Sequence, residues 1–220
     1  MAHIVNLCCK DAIDSVSSSR QAEAQDTDSD EDDMIELTTD ERRQTGLIAK
    51  LRKCVVKIRS SPQRRESFRL QCRVLEKDQL ELIRDVSTRW NSTFHMISRA
   101  LELRPALDLA LKMDTNLTRF LLSTEDWTNL ERMRDFLQPF KEITVFMSSQ
   151  KYPTISFNAV AYSTIYAHLN SYGHEHPAWL REAATAAKAK LNKYYVTSDA
   201  LQYVAGVGMI FLIIQLSSIH

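Results

Sequence analysis

Hydrophobic positions along this chain repeat at intervals of three and four residues, the spacing of helices with one buried face. Residues 2–16 carry Ile4, Leu7, Cys8 and Ala12 on such a face and open without a capping residue, as a helix entered part-way along its length does. In 44–59, Leu47, Leu51, Val55 and Ile58 fall in line, with Lys50, Lys53 and Lys57 on a neighbouring face. Ser61-Pro62 ends that helix and starts the next, since proline suits a first helical turn. There Phe68, Cys72 and Leu75 form the apolar side, beside Arg64, Arg65, Arg69 and Arg73. The run from Leu80 to Val86 is the one convincing strand candidate. A helix from about Ser92 turns Phe94, Ile97 and Leu101 inward, and Pro105 restarts or bends it. Thr124-Glu125-Asp126 is a helix start, followed by Trp127, Leu130, Phe136 or Leu137, Phe140 and Ile143, with a kink expected at Pro139. Pro153 opens a helix bearing Ile155, Ala159, Tyr162, Tyr166 and Leu169. Pro177 opens another bearing Trp179, Ala183, Ala187, Leu191 and Tyr194. Three long amphipathic helices with short links predict an antiparallel bundle.

Composition supports a mainly α chain: 4 Gly and 5 Pro in 220 residues exclude turn-rich β-sandwiches and glycine-rich nucleotide folds. The formal net charge is zero, yet the charges are segregated. Residues 23–41 hold ten acids and no base, while 42–73 hold eleven Lys or Arg and one acid, Glu66. The acidic stretch 17–41 lacks the apolar surface to offset its ordering entropy and reads as a disordered loop. Within it Ser29, followed by Asp30-Glu31-Asp32, resembles an acidophilic kinase site, though a solvating loop is the preferred reading. Cys8, Cys9, Cys54 and Cys72 form neither a disulfide framework nor a C-x-x-C knuckle, which favours a reducing compartment. The N-terminus lacks the pattern of a signal peptide. From Ala200 to Ile219 twenty residues carry no charge, long enough for a membrane tail anchor, but Gln202, Gln215, Ser217 and Ser218 dilute the run.

No hydrolase, Walker or dinucleotide signature is present, and Gly206-x-Gly208 lacks the third glycine and the helix start it needs. His174-Glu175-His176 reads as a solvated turn, and no metal site is expected. The sequons at Asn91 and Asn116 are chance matches in an intracellular protein. The informative piece is Asp85-Val86-Ser87-Thr88-Arg89-Trp90-Asn91-Ser92-Thr93. Arginine pairs with phosphate, an aromatic ring stacks on an unpaired base, and a helix N-terminus favours an anion. Arg89, Trp90 and Asn91 are therefore candidate DNA contacts, with a core tryptophan as the competing reading. Lys50, Lys53, Lys57, Arg64, Arg65 and Arg69 are candidates for the sequence-independent phosphate term. The competing reading is a solvated face that neutralises the acidic stretch.

The run D-V-S-T-R-W-N-S-T-F-x-M-I-x-R-A resembles the D-V-x-T-R-W-N-S-T block of hAT-superfamily transposases. That family often carries a BED-type zinc finger and an RNase H-like catalytic domain. His3, Asn6 and Leu7 resemble the end of its C-x-x-H-x-x-N-L motif, and Lys190-Leu191-x-Lys193-Tyr194-Tyr195 resembles its K-L-x-K-Y-Y. The similarity extends over Ile58-Arg59-Ser60-Ser61, Arg65 and Phe68, and covers about residues 2–200. It implies a fragment of an RNase H-like α/β catalytic domain with its all-α insertion. Residues 1–16 and 42–104 would be domain pieces, 17–41 the acidic loop, 105–199 the insertion and 200–220 a divergent apolar tail. Arg89 and Trp90 would hold DNA near the cleavage point, and His3 and Asn6 would be structural motif residues. The family cuts DNA with Mg or Mn held by Asp, Asp and Glu, which the resemblance places outside this chain. The expectation is therefore a catalytically incomplete chain without a cofactor of its own, with residual DNA binding and a nuclear location. The zinc finger and dimerisation segment have no counterpart here, and residues 206–220 read as a read-through, a frame change or a misplaced exon end. The alternatives are a helical protein-interaction module, tail-anchored or not, and a relic that folds poorly.

Overall fold

The computed structural model describes residues 2–19, 46–77, 80–86, 89–149 and 155–195. The remainder of the acidic stretch with Ser29, residues Ser87 and Thr88, Pro153, and the apolar tail from Ala200 lie outside the described residues. The described elements are α1 (Ala2–Ser19), α2 (Leu47–Ser60), α3 (Pro62–Val74), α4 (Trp90–Glu102), α5 (Arg104–Met113), a 3-10 turn (Thr118–Phe120), α6 (Thr124–Ser149), α7 (Ile155–Asn170) and α8 (Ala178–Tyr195). They form two compact units, Val16–Phe136 in one and Met1–Ser15 with Leu137–His220 in the other, so α6 contributes to both. Among the described residues no helix is long and apolar enough to cross a membrane.

In the Val16–Phe136 unit, α3 packs on α2 and α5, and α4 packs on α2 and α5. The face Leu47, Leu51, Val55 and Ile58 is buried as its spacing predicts, joined by Cys54. Ser61 caps α3 by accepting the Arg64 amide at 3.4 Å, with Pro62 in the first turn. The end of α3 was not legible. Glu76 adopts a left-handed φ of 55°, while the Glu76 amide reaches Arg73 O at 2.9 Å and the Lys77 amide reaches Cys72 O at 2.8 Å. This is the helix-ending arrangement that usually employs glycine. It turns the chain into the 80–86 segment. The break between α4 and α5 falls at Leu103, which is fully buried, with Pro105 in the first turn of α5. At α6, Ser123 Oγ accepts the Asp126 amide at 3.0 Å and Asp126 Oδ2 accepts the Ser123 amide at 3.1 Å, a reciprocal cap.

The second unit joins α1, the C-terminal half of α6, α7 and α8. Its inner faces agree with the expected ones at Cys8, Ala12, Leu169, Ala183, Ala187 and Leu191 and differ elsewhere. On α1, Val5, Cys8, Cys9, Ala12 and Ile13 are buried, while Ile4 and Leu7 are half-buried. On α7 the buried residues are Ala161, Ile165 and Leu169; the Tyr162 and Tyr166 rings stack at the margin, 5.8 Å apart. The side chains of Ile155 and Ala159 lie outside the described set. On α8, Leu180, Ala183, Ala184, Ala187 and Leu191 face inward, and Trp179 is half-buried. Lys190 Nζ ties α8 to Asp11 of α1 at 3.0 Å, and Tyr162 OH donates to Asn192 Oδ1 at 3.2 Å. Helix α6 runs through Pro139 as one element.

All four cysteines are free and buried. Burial pushes the Cys8 and Cys54 thiols up to about 12, and those of Cys9 and Cys72 upward as well. At pH 8 the native chain should therefore show no rapidly reacting thiol towards a disulfide reagent, and all four should react once it is unfolded. A fast thiol in the native chain would contradict this packing.

Candidate functional site

The strand expected at 80–86 does not form: these residues carry no regular secondary structure, and there is no strand among the described residues. Arginines occupy the places of neighbouring strands. Arg52 grips Asp85 with two donors, Nε to Oδ1 at 2.8 Å and Nη2 to Oδ2 at 2.6 Å. Arg59 Nη1 donates to Leu82 O, and Arg99 Nη1 to Glu81 O at 2.9 Å. Arg69 of α3 pairs with the Glu81 carboxylate. The spacing explains the register. Seven residues along α2 separate Arg52 from Arg59, about 10.5 Å at a helical rise. Leu82 and Asp85 are three residues apart, a reach of up to about 10 Å. The segment therefore runs antiparallel to α2 with matched rungs. Backbone carbonyls that a sheet would satisfy are satisfied by guanidinium groups instead.

The motif block that follows divides into buried and exposed members. The Asp85 side chain is 1% exposed, and it also accepts from Thr93 Oγ1 at 3.2 Å. Ser92 Oγ lies 2.8 Å from both Val86 N and Val86 O. Trp90, the first residue of α4, is only 4% exposed, so its ring belongs to the core and presents no face to a base. Arg89 is exposed, and Asn91 is half-buried with Oδ1 unpartnered. The Arg-Trp pair is thus split: Arg89 faces solvent while Trp90 is a packing residue. His3 is exposed and Asn6 half-buried on α1, in the other unit, and neither makes a side-chain hydrogen bond among the described residues.

The basic stretch is largely neutralised within its own unit. Lys50 pairs with Asp126 at 3.1 Å and Arg64 with Asp114 at 2.8 Å; Arg73 lies 3.8 Å from Glu66. The Arg64 hydrogen bond holds the Asp114 carboxyl below its ordinary range. Burial alone would raise Asp126, but the Ser123 amide and Lys50 outweigh it and lower the carboxyl. Lys57 is half-buried. Lys53, Arg65 and Arg89 are exposed and have no ion pair or hydrogen bond from their side chains among the described residues. A shallow cleft between α2, α3 and the 80–86 segment is lined by Arg59, Arg65, Arg69 and Glu81, with Ile58, Phe68 and Leu82 as its apolar wall. Arg52, Arg59 and Glu81 were not candidates from sequence. The seven-residue spacing of the two arginines on α2 was the one available signal.

Asp85 does not fit a divalent cation, because Arg52 engages both of its oxygens. His176 Nδ1 lies 3.1 Å from Glu175 Oε1, and His174 Nδ1 lies 3.3 Å from Arg181 Nη1. Among the described residues no three His, Cys, Asp or Glu side chains converge as metal ligands.

The regular elements described in this unit are all helical, with the 80–86 segment clamped against them by arginines. The family model of the ZBED1 RNase-like helical domain matches residues 32–136, and that match ends at the last residue of the Val16–Phe136 unit. The chain is 31% identical over 153 residues to a putative transcriptional regulator, tpeD, of Talaromyces stipitatus, covering 69% of this chain and 16% of that protein. It is 27% identical over 165 residues to the putative AC transposase of Zea mays, covering 73% of this chain and 20% of that protein. It is 28% identical over 115 residues to the human zinc finger BED domain-containing protein 4, covering 52% and 10% respectively. The chain belongs to the hAT-type transposase-like family, of which it represents a part. It spans less than a quarter of the length of these relatives. No solved structure matches it.

Proposed function

We propose that this chain is the helical part of a transposon-derived, hAT transposase-like protein that associates with DNA in the nucleus and does not cut it by itself. In this reading the 80–86 segment is a remnant of an RNase H-like strand. The observation that carries the DNA role is that exposed cations of the family-matched unit, Lys53, Arg65 and Arg89 among them, have no ion pair or hydrogen bond from their side chains among the described residues. The names of the relatives, a transposase, a BED zinc finger protein and a transcriptional regulator, point the same way. In this reading Asp85 takes no part in cutting, since its carboxylate is committed to Arg52.

Phosphate contacts release counterions, so affinity should fall with salt at about −0.9 in log–log slope per phosphate. Fluorescence anisotropy with a labelled duplex should give a slope of about −2 to −4. A salt-independent interaction, or none, contradicts the DNA role; Mg- or Mn-dependent nicking by the purified chain contradicts the absence of cutting. A second reading, a helical protein-interaction module, is favoured by Leu70, Val74, Leu109 and Met113, exposed apolar residues on the packed pair α3 and α5. It is the reading that remains if no duplex binds.

A further inference from the structure

We infer that the cleft between α2, α3 and the 80–86 segment seats one backbone phosphate of a bound nucleic acid, and that Glu81 occupies this seat in the free chain. The inference rests on the DNA-associating role proposed above and names the place where it is exercised.

Three guanidinium groups and a single carboxylate line the cleft. Arg59 is anchored through Leu82 O, which fixes its position at the apolar wall. Arg65 is exposed, with no hydrogen bond among the described residues, and stands ready to donate. Arg69 is held by Glu81, with Glu66 at 3.8 Å on its other side. Its own side chain is 42% exposed and that of Glu81 48%, so the pair can open without unpacking the core. The hydrogen bond from Arg69, with the charges of Arg59 and Arg65 nearby, keeps the Glu81 carboxyl below its ordinary range. One carboxylate against three arginines leaves the cleft cationic. Guanidinium forks match phosphate oxygens, and a tetrahedral phosphate offers acceptors in more directions than a planar carboxylate. The wall residues Phe68 and Leu82 are buried, so the seat offers no ring for base stacking and reads no sequence.

Glu81 is thus an internal competitor. Glu81→Gln should release Arg69 and tighten binding of a fluorescein-labelled duplex by the full chain about threefold to tenfold. It should also steepen the log–log salt slope by about one. Arg65→Ala should weaken wild-type binding severalfold and remove most of the Glu81→Gln gain when the two are combined. Arg65 is exposed and its side chain makes no hydrogen bond or ion pair among the described residues, so this variant stays informative if Glu81→Gln lowers stability, which circular dichroism melts would report. Glu125→Gln, an exposed acid in the first turn of α6, supplies the generic effect of removing one negative charge, expected below twofold. A Glu81→Gln effect equal to that of Glu125→Gln, with Arg65→Ala unchanged and the duplex still bound, overturns the seat and leaves the DNA role standing. Absence of duplex binding in every variant overturns both. Competition by poly-glutamate as effective as that by polyphosphate of equal charge overturns the phosphate assignment.

Discussion

Replacing Arg52 by alanine is expected to destabilise the chain by about 3 kcal/mol, because it strands a buried carboxylate. The Asp85 side chain is 1% exposed and that of Arg52 16%, so water reaches the arginine end of the pair and keeps the cost near the lower end of the range for such losses. The loss has two parts. The charge of Asp85 goes uncompensated except for the Thr93 hydroxyl. The rung that aligns the 80–86 segment with α2 also disappears, leaving Arg59 and Arg99 to hold it by its carbonyls. Urea denaturation checks the figure. The double replacement Arg52→Met with Asp85→Leu should recover much of the loss, since the penalty arises from one charge left behind rather than from the absence of a pair. A single Arg52→Ala variant as stable as the parent would mean that the segment is not clamped as described.

The second large effect is at Trp90. Its ring is 4% exposed, and Trp90→Ala should cost about 3–5 kcal/mol through the lost burial and the cavity left behind. Trp90→Leu keeps an apolar filling and removes the broad ring, so stability should fall by less while DNA affinity stays within about twofold. A base-stacking tryptophan behaves differently: its loss costs about 1–3 kcal/mol of binding, roughly fivefold to more than a hundredfold. The two outcomes separate a packing role for the motif tryptophan from a contact role. The same residue type at the same motif position serves either, and burial decides between them.

Much of the helical architecture could be read from spacing and punctuation. The α2 face repeated its large aliphatic residues with few competitors, and Ser61-Pro62 and Pro105 marked the starts of α3 and α5 through chemistry local to a few residues. On α1, α7 and α8 the expected faces were right at Cys8, Ala12, Leu169, Ala183, Ala187 and Leu191, and the remaining differences share a reason. Size drew the choice to Ile4, Leu7, Tyr162, Tyr166 and Trp179, whereas the packed interior also uses Cys9, Ala161 and Ala184. Small residues let helices approach, and rings with a polar end settle at the margin. The 80–86 segment was wrongly read as a strand: it carries no regular secondary structure and is held by side chains. Its partners are arginines 33, 23 and 18 residues away, and side-chain donors at such separations leave no periodic trace. For the same reason the cationic stretch looked freer than it is. Lys50, Arg64 and Arg69 spend their charge on Asp126, Asp114 and Glu81, which no local pattern connects to them. Arg65 and Lys53 remain open, and the folded unit was needed to tell them from their neighbours.

The central claim is that DNA is met in the cleft by Arg65 of α3, and by Arg69 once Glu81 yields, while Asp85 and Trp90 of the motif block serve the fold. The most direct measurement is the arginine Nε–Hε NMR spectrum of the full chain, with signals assigned by single Arg→Lys replacements, before and after a duplex is added. The account predicts that the Arg65 and Arg69 signals move and that of Arg52, locked to Asp85, does not. A duplex that binds while shifting Arg52 and leaving Arg65 and Arg69 in place would contradict it.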